Sequence, residues 1–194
     1  MKTIDHLLLG RYLLACCGAP RLLRHRRAFL LGCVEPDCNV LSYLRGMGRF
    51  ANFRGHNAEN SFAFLSRCTA DFDKNGISST WDYFRFGVML HYAADAFTAP
   101  HNRFWTQNLL EHVAYEERLH QKFEALLEAA RPDKLPYREY VPLHRAYCRE
   151  VPSMENDFRY ILTACVSLME KYLFPVAEAG TAEYRLHPAG GAAA

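Results

Sequence analysis

The sequence predicts an all-α fold, a single-domain helical bundle. Apolar residues recur at helical spacing in most segments, and no run alternates apolar and polar residues between hairpin turns. The chain has 194 residues, half of them hydrophobic, which suits one domain with a substantial core. We therefore expect one domain over residues 1–188 and a flexible tail of Ala and Gly over 189–194.

The first half of the chain is expected to contain helices separated by turns that are rich in Gly, Pro and Asn. The predicted helices cover 3–17, 21–31, 39–46 and 58–72. Gly18 and Pro20 end the first of them. The segment 35–39 contains Pro, Asp and Asn and is predicted to be a loop, as is the glycine-containing segment 46–57.

The second half is predicted from its helix caps. Ser78 or Ser79 can begin a helix that runs through Phe97. Asn102 or Thr106 is expected to begin the next, which runs to about 130 and stops before Pro132. The last two helices are expected over 137–150 and 153–178.

Charge gives little indication of a large anionic partner. The formal net charge of +2 is too small to indicate nucleic acid or an anionic membrane. The run 21–27 contains four arginines and one histidine, and a solvated helix face is the favoured interpretation. A patch that attracts a phosphate-bearing substrate is the alternative.

Cysteine usage and hydropathy predict a cytoplasmic protein. The seven cysteines have no regular spacing and include no C-x-x-C pair, so neither a disulfide framework nor a thiolate zinc site is expected. Asp5, His6 and Arg11 interrupt the apolar N-terminal segment, which therefore favours an amphipathic helix over a signal peptide. No window of 18 apolar residues predicts a transmembrane segment.

Two pairs of potential metal ligands stand four residues apart in helical sequence. His91 and Asp95 share one helix face, and so do His112 and Glu116. Pro100 disfavours helical geometry in the residue before it, so the first helix should end there and free His101 to point elsewhere. Nitrogen and oxygen donors of this kind suit zinc. We expect one site at the first pair and a second nearby.

The alternatives to a zinc site are weaker. A single pair with this spacing is common by chance, but two in tandem with an additional histidine are much less so. Glu117 and His120 form an E-x-x-H motif of the kind found in di-iron bundles. Such bundles need two of these motifs, and the sequence contains no second one.

Together with three upstream residues, these side chains resemble the ligand series of the zinc-dependent phospholipase C family. That family shares an all-helical superfamily with the single-strand-specific zinc nucleases. The matching series is His6, Asp37, His56, His91, Asp95, His101, His112 and Glu116. The resemblance implies that Asp37, His56, His91 and Asp95 hold one zinc ion. It implies a second ion at His101, His112 and Glu116. Asp95 would bridge to a third, which His6 shares.

The sequence departs from the family pattern at two places. Secreted members use an N-terminal tryptophan as a ligand of the third zinc, and no tryptophan stands near the start here, so two or three ions are expected. Members that cleave phosphatidylcholine place a tyrosine and a phenylalanine around the choline group. Phe53 matches the phenylalanine, but Cys38 stands in place of the tyrosine. Because an aromatic cage binds quaternary ammonium by cation–π attraction, strong choline specificity is not expected.

The function that the resemblance implies is metal-dependent phosphoester hydrolysis, most like that of a phospholipase C. Zinc lowers the pKa of bound water to about 7, so a zinc-held hydroxide would attack phosphorus. Asp37 is the candidate general base as well as a ligand. The expected substrate is a phospholipid or another phosphodiester, with no stable nucleic-acid partner. A zinc nuclease or phosphomonoesterase with the same metals stays open, as does a non-catalytic metal-binding helical protein.

Overall fold

A computed structural model describes residues 1–38 and 58–174, and this part of the chain contains α-helices and short 3-10 turns but no strand. The all-α prediction is therefore confirmed. The helices are α1 (Thr3–Cys16), α2 (Pro20–Arg24), α3 (Arg26–Cys38), α4 (Ala58–Asn75), α5 (Thr80–Ala96), α6 (Leu109–Ala129), α7 (Tyr140–Tyr147) and α8 (Met154–Leu173). The 3-10 turns are Ala99–His101 and Pro132–Lys134.

Side-chain caps define where three of the longer helices begin. Ser79 caps α5, where its hydroxyl accepts a hydrogen bond from the backbone N–H of Asp82 at 3.1 Å. The side chain of Asn108 caps α6, and Ser153 caps α8. Each cap satisfies a backbone donor that has no partner within its helix, so the helix start is fixed locally.

The core lies around α5 and α8, which pack against each other. Phe86 and Ala93 on α5 are completely buried, as are Ile161, Cys165 and Met169 on α8. Further contacts place α3 and α4 against α5, and α1 against α3 and α6. A helix that is apolar on most of its surface is stable only in such surroundings. The centre of the fold is thus formed by the helix that also carries His91 and Asp95.

Helices α3 and α5 run parallel in close contact at two glycines. A Cβ atom added at Gly32 would lie 2.0 Å from the carbonyl oxygen of Phe84, and one at Gly87 would lie 2.1 Å from that of Phe29. Any larger residue would force the backbones apart. Because the helices are parallel, their C-terminal ends lie together, which brings Asp37 towards His91.

The predicted loop at 35–39 is wrong for the residues that the structure describes. Helix α3 continues through Pro36 to Cys38. Pro36 is buried in the last turn, so tertiary packing along α5 outweighs the local preference of proline to end a helix. Asp37 therefore lies on the end of a helix and not in a loop.

The predicted start of the helix after Pro100 is also wrong. The cap is Asn108 and neither Asn102 nor Thr106. The buried side chain of Asn102 instead donates hydrogen bonds to the carbonyl oxygens of Ala96, at 2.9 Å, and Thr98, at 2.8 Å. It closes the end of α5, where the last carbonyl groups have no partner within the helix.

The segment predicted as one helix over 21–31 forms two helices, α2 and α3, and α3 runs past Gly32. Most of the other boundaries are close to the predictions. Helices α1, α4 and α5 match to within three residues, and α5 ends before Pro100 as expected. The last helix ends at Leu173, short of the predicted 178. The predicted short helix at 39–46, the loop at 46–57 and the tail at 189–194 lie outside the described residues. The domain limit at 188 stays a prediction.

Candidate metal centre

Two groups of histidine and carboxylate side chains each bring ligand atoms within 4.8 Å of one another in the described part of the chain. The first group comprises His6, His91 and Asp95, and the second comprises His101, His112 and Glu116. The first is buried in the core, whereas the second is partly exposed. The two groups thus form an inner and an outer part of one polar region.

The inner group joins α1 to α5. The ring of His6 stacks on that of His91, with 3.7 Å between the centroids. Nε2 of His6 lies 3.1 Å from Oδ1 of Asp95, and Nε2 of His91 lies 3.4 Å from Oδ2 of the same carboxylate. The last contact follows from the spacing of four residues on a helix.

Helix α3 orients His91. Nδ1 of His91 lies 2.8 Å from the carbonyl oxygen of Cys33. A carbonyl oxygen only accepts hydrogen bonds, so Nδ1 carries the hydrogen and Nε2 of the neutral ring keeps its lone pair. Partners of this kind hold a histidine ligand in the required tautomer.

Asp37 approaches the inner group from the end of α3. Its Oδ1 lies 3.6 Å from Nε2 of His91. Its Oδ2 is buried and has no hydrogen-bond partner within residues 1–38 and 58–174. Buried carboxylate oxygens are normally paired, so an oxygen in this state suits a ligand that binds a cation.

The outer group is assembled by the turn after α5. The 3-10 turn Ala99–His101 carries His101, while α6 supplies the other two side chains. Nε2 of His112 lies 3.1 Å from Oε1 of Glu116. The rings of His101 and His112 meet edge to face at 5.1 Å. The break before Pro100 therefore does aim His101 away from the axis of α5, as the sequence predicts.

Thr98 orients His101. Its hydroxyl donates to the carbonyl oxygen of Asp95 at 2.8 Å, and the same oxygen lies 2.6 Å from Nδ1 of His101. The hydroxyl has a single hydrogen, so Nδ1 of His101 must be the donor in the second contact. Nε2 therefore keeps its lone pair and lies on the side of Asp95, at 3.8 Å from Oδ2.

Asp95 connects the two groups. Besides its contacts with the inner histidines, it faces His101, and its Oδ1 lies 2.9 Å from the buried α-amino group of Met1. The same amino group lies 3.2 Å from Oε1 of Glu116. Burial lowers the pKa of this amine, but the two carboxylates outweigh that effect and raise it to about 10. The two carboxylates thus converge on a cation.

The electrostatics of the region keep carboxylates charged and two of its histidines neutral. Burial raises the pKa of Asp95, but the Met1 amine and the neighbouring histidines hold it well below its usual range. The pKa of Glu116 is also lowered by its neighbours in spite of burial, and it falls to about 2. Burial lowers the pKa of His101 to about 3 and also lowers that of His6. Ionised carboxylates and neutral imidazoles are the states that bind metal.

The donor set fits zinc. Imidazole nitrogens combined with one or two carboxylates per group match the ligands that zinc takes in hydrolytic sites. The outer group is partly exposed, and a catalytic zinc site needs a coordination position that water can reach.

Comparison with known families agrees with this chemistry. A family model described as zinc dependent phospholipase C matches residues 5–173. The chain belongs to the zinc-dependent phospholipase C family. A search of curated proteins and a search of solved structures each found no match. Membership in the zinc-dependent phospholipase C family supports a zinc-dependent hydrolase that acts on phosphoesters.

The family match spans α1 to α8, and most of the predicted ligands lie together within it. Those that converge are His6, Asp37, His91, Asp95, His101, His112 and Glu116. His56 and Phe53 lie outside the described residues. Cys38 is exposed next to Asp37. The role of each of these residues stays a prediction.

Sequence reasoning missed contacts that join distant parts of the chain. The contacts of the Met1 amine and of the Cys33 carbonyl leave no signal in the spacing of the sequence. The contact of the Thr98 hydroxyl does leave one, because a threonine three residues before a histidine is an accessible clue. The E-x-x-H histidine, His120, lies 2.6 Å from the buried carboxylate of Asp5. It therefore anchors α1 beside His6 and does not extend the ligand groups.

The basic run lies away from the ligand groups. A cleft of about 320 Å³ is lined by Arg24, His25, Arg26, Arg27, Ala28 and Thr80. It sits where α3 and α5 begin, whereas Asp37 and Asp95 lie near the C-terminal ends of those helices. Thr80 and His91 are separated by roughly 17 Å along α5 at the usual helical rise.

No helix among the described residues has both the length and the apolar composition of a membrane-spanning segment. The seven cysteines are free thiols, five of them buried.

Proposed function

We propose that the protein hydrolyses phosphodiesters of phospholipids with the regiochemistry of a phospholipase C. The observation that carries the proposal is the pair of ligand groups joined through Asp95, in a chain that belongs to the zinc-dependent phospholipase C family. His6, His91, Asp95 and Asp37 would hold one zinc ion, and His101, His112 and Glu116 a second. The number of ions is part of the proposal.

Zinc in these groups would lower the pKa of water and neutralise charge on a phosphoryl group. The side chains and backbone of the protein would supply the remaining functions of the site. Asp95 faces both groups and would keep their ions close to each other. Asp37 would accept a proton with the carboxylate oxygen that does not bind the ion. The Cys33 carbonyl and the Thr98 hydroxyl keep two imidazoles in the binding tautomer.

The surface around the outer group favours a lipid substrate over nucleic acid. Leu109, Leu110 and Val113 are 76%, 80% and 56% exposed on the first turns of α6, beside His112. Leu109 stands three residues before His112 and Val113 three residues before Glu116, so these two apolar side chains border the ligand group. Exposed apolar residues next to a site suit a substrate with acyl chains.

Hydrolysis of a chromogenic phosphodiester by zinc-loaded protein tests the reaction. We expect turnover that rises with pH as water ionises, and a loss of roughly a hundredfold in kcat for Asp37→Asn. Asp133→Asn, an exposed aspartate, is the control and should leave kcat unchanged. A zinc-loaded protein that turns over no phosphoester would favour the non-catalytic alternative.

Phospholipid vesicles test the substrate class. The double variant Leu109→Ser, Val113→Ser should lose activity on vesicles and keep its activity on the small chromogenic substrate. Single-stranded nucleic acid cut faster than any phospholipid would instead assign the protein to the nuclease alternative. Because Cys38 stands where a tyrosine would face choline, Cys38→Tyr should raise the preference for phosphatidylcholine over other phospholipids.

A further inference from the structure

The last long helix, α8, carries none of the proposed ligands, yet one of its carboxylates is completely buried. Asp157 has 0% exposure and lies in the first turn of the helix. We propose that Asp157 is a positioning residue that fixes the outer ligand group and thereby sets the affinity of that group for metal. The inference rests on the zinc centre of the proposed function.

The contacts of Asp157 lead to both segments that carry the outer group. Its Oδ2 accepts a hydrogen bond from the backbone N–H of Ala99 at 3.1 Å and another from the hydroxyl of Tyr115. Ala99 opens the 3-10 turn that ends at His101. Tyr115 directly precedes Glu116 on α6. One carboxylate oxygen therefore ties the turn to the helix.

The third contact of Asp157 goes elsewhere. Its Oδ1 accepts a hydrogen bond from the hydroxyl of Tyr147 at 2.8 Å. Tyr147 lies on α7, which carries no proposed ligand, and its ring packs on Phe97 and Tyr160. The two tyrosine hydroxyls thus donate to the same buried carboxylate, but only Tyr115 belongs to a segment of the outer group.

The outer group depends on such a hydrogen-bonded connection more than the inner group does. His91 and Asp95 are one turn apart on a single helix, which fixes their spacing. His101 and Glu116 stand on different segments, so their separation depends on contacts between a short turn and α6. Metal ligands must be placed within about 0.2 Å, and loss of a supporting partner typically costs about ten- to a hundredfold in metal affinity.

A purely structural role accounts poorly for a carboxylate at this position. A buried charge is expensive to desolvate, and burial raises the pKa of Asp157 against the effect of its three donors. Apolar packing between α8 and its neighbours would hold the helices together at lower cost. Three directional hydrogen bonds instead fix the position of the turn relative to α6.

Tyr115→Phe and Tyr147→Phe form a matched pair for the test. Both phenol rings are buried, and each variant removes one hydroxyl that donates to Asp157. Zinc affinity would be measured by competition with a chromogenic chelator, and stability by thermal melting. We expect Tyr115→Phe to weaken one zinc-binding step by about tenfold and Tyr147→Phe to leave every step unchanged. Glu116→Gln should abolish the same step that Tyr115→Phe weakens.

Substitution of Asp157 itself gives an independent result. In Asp157→Asn, the amide oxygen can keep the bonds from Ala99 and Tyr115, while the amide N–H₂ donates to the hydroxyl of Tyr147. Zinc affinity should therefore be retained in Asp157→Asn and lost at the outer step in Asp157→Ala. If Asp157→Ala fails to fold, the comparison of Tyr115→Phe with Tyr147→Phe tests the inference without it.

Two outcomes would overturn the inference: equal weakening by Tyr115→Phe and Tyr147→Phe, or no weakening by either. Zinc binding is measured here without substrate, so failure of the proposed function is a separate result. A protein that binds zinc with the expected difference between the tyrosine variants, but hydrolyses no phosphodiester, would reject the proposed activity and support the role of Asp157.

Discussion

Asp95 is the residue on which both ligand groups depend, because its carboxylate faces His6 and His91 on one side and His101 on the other. It is 2% exposed, so its charge must be stabilised by neighbouring polar groups. The sequence shows only one of these neighbours, the histidine four residues earlier. The others come from α1 and from the turn after α5.

Graded loss of zinc is therefore expected from three carboxylate substitutions. Asp95→Asn should lose both ions and the activity, since it removes the negative charge that faces both groups. Glu116→Gln should lose only the ion of the outer group. Glu124→Gln, an exposed residue on the same helix as Glu116, should lose neither. Elemental analysis of the purified proteins measures the outcome, and loss of both ions in Glu116→Gln would contradict the division into two groups.

His144 connects pH to stability near the site. Its Nε2 lies 3.1 Å from the carbonyl oxygen of Ala96 and 3.0 Å from Oδ1 of Asn102, so it braces the end of α5. Burial lowers its pKa from 6.5, and the hydrogen bond to Ala96 opposes this only in part. In the unfolded chain the same ring takes up a proton near its usual pKa.

Below about pH 6.5 the unfolded state therefore binds more protons at this position than the folded state, so stability falls as the pH falls. The free energy of unfolding of zinc-free protein should decrease between about pH 7.5 and pH 5.5, and it should decrease less in His144→Gln. Denaturant unfolding at the two pH values measures both proteins. An equal decrease in the two would show that His144 does not contribute.

At the scale of the elements, the close contact of α3 with α5 places Asp37 beside His91. Gly87→Ala would put a Cβ atom 2.1 Å from the carbonyl oxygen of Phe29, so the helices would have to separate. We expect a loss of stability of about 1–3 kcal/mol. Zinc binding should also weaken, because the hydrogen bond between His91 and the Cys33 carbonyl would lengthen.

Gly76→Ala provides the control for that substitution. Gly76 has a φ of 70° and no atom within 4 Å of an added Cβ. Alanine there should cost about 1–2 kcal/mol through backbone strain alone. Thermal melting and zinc titration of both variants separate the two effects. Reduced zinc affinity in Gly76→Ala would mean that general destabilisation, and not helix separation, weakens the site.

The elements also show what sequence spacing can predict. Pairs on one helix, such as His91 with Asp95, follow from helical periodicity alone, and the break at Pro100 follows from the chemistry of proline. Contacts between helices do not, because they depend on which faces pack together. The stacking of His6 on His91 and the hydrogen bonds of Asp157 belong to this second kind. Pro36 shows the same limit, since packing kept α3 helical where local preference predicted a loop.

In the whole molecule, the ligand groups bring together side chains from α1, α3, α5 and α6 and from the turn between α5 and α6. Metal bound only by the folded state stabilises it by mass action, by about 4 kcal/mol when free zinc exceeds its dissociation constant by roughly a thousandfold. A chain of this length gains roughly 2–4 °C in Tm per kcal/mol.

Removal of zinc by a chelator should therefore lower the Tm by roughly 10 °C for each ion lost. The same treatment of Glu116→Gln should lower it by less, since that variant would have only the inner ion to lose. Thermal melts before and after chelation, with zinc content measured on each sample, give the comparison. An unchanged Tm in samples confirmed to be free of zinc would contradict a structural role for the metal, because ligands from four helices and a turn would then converge without its help.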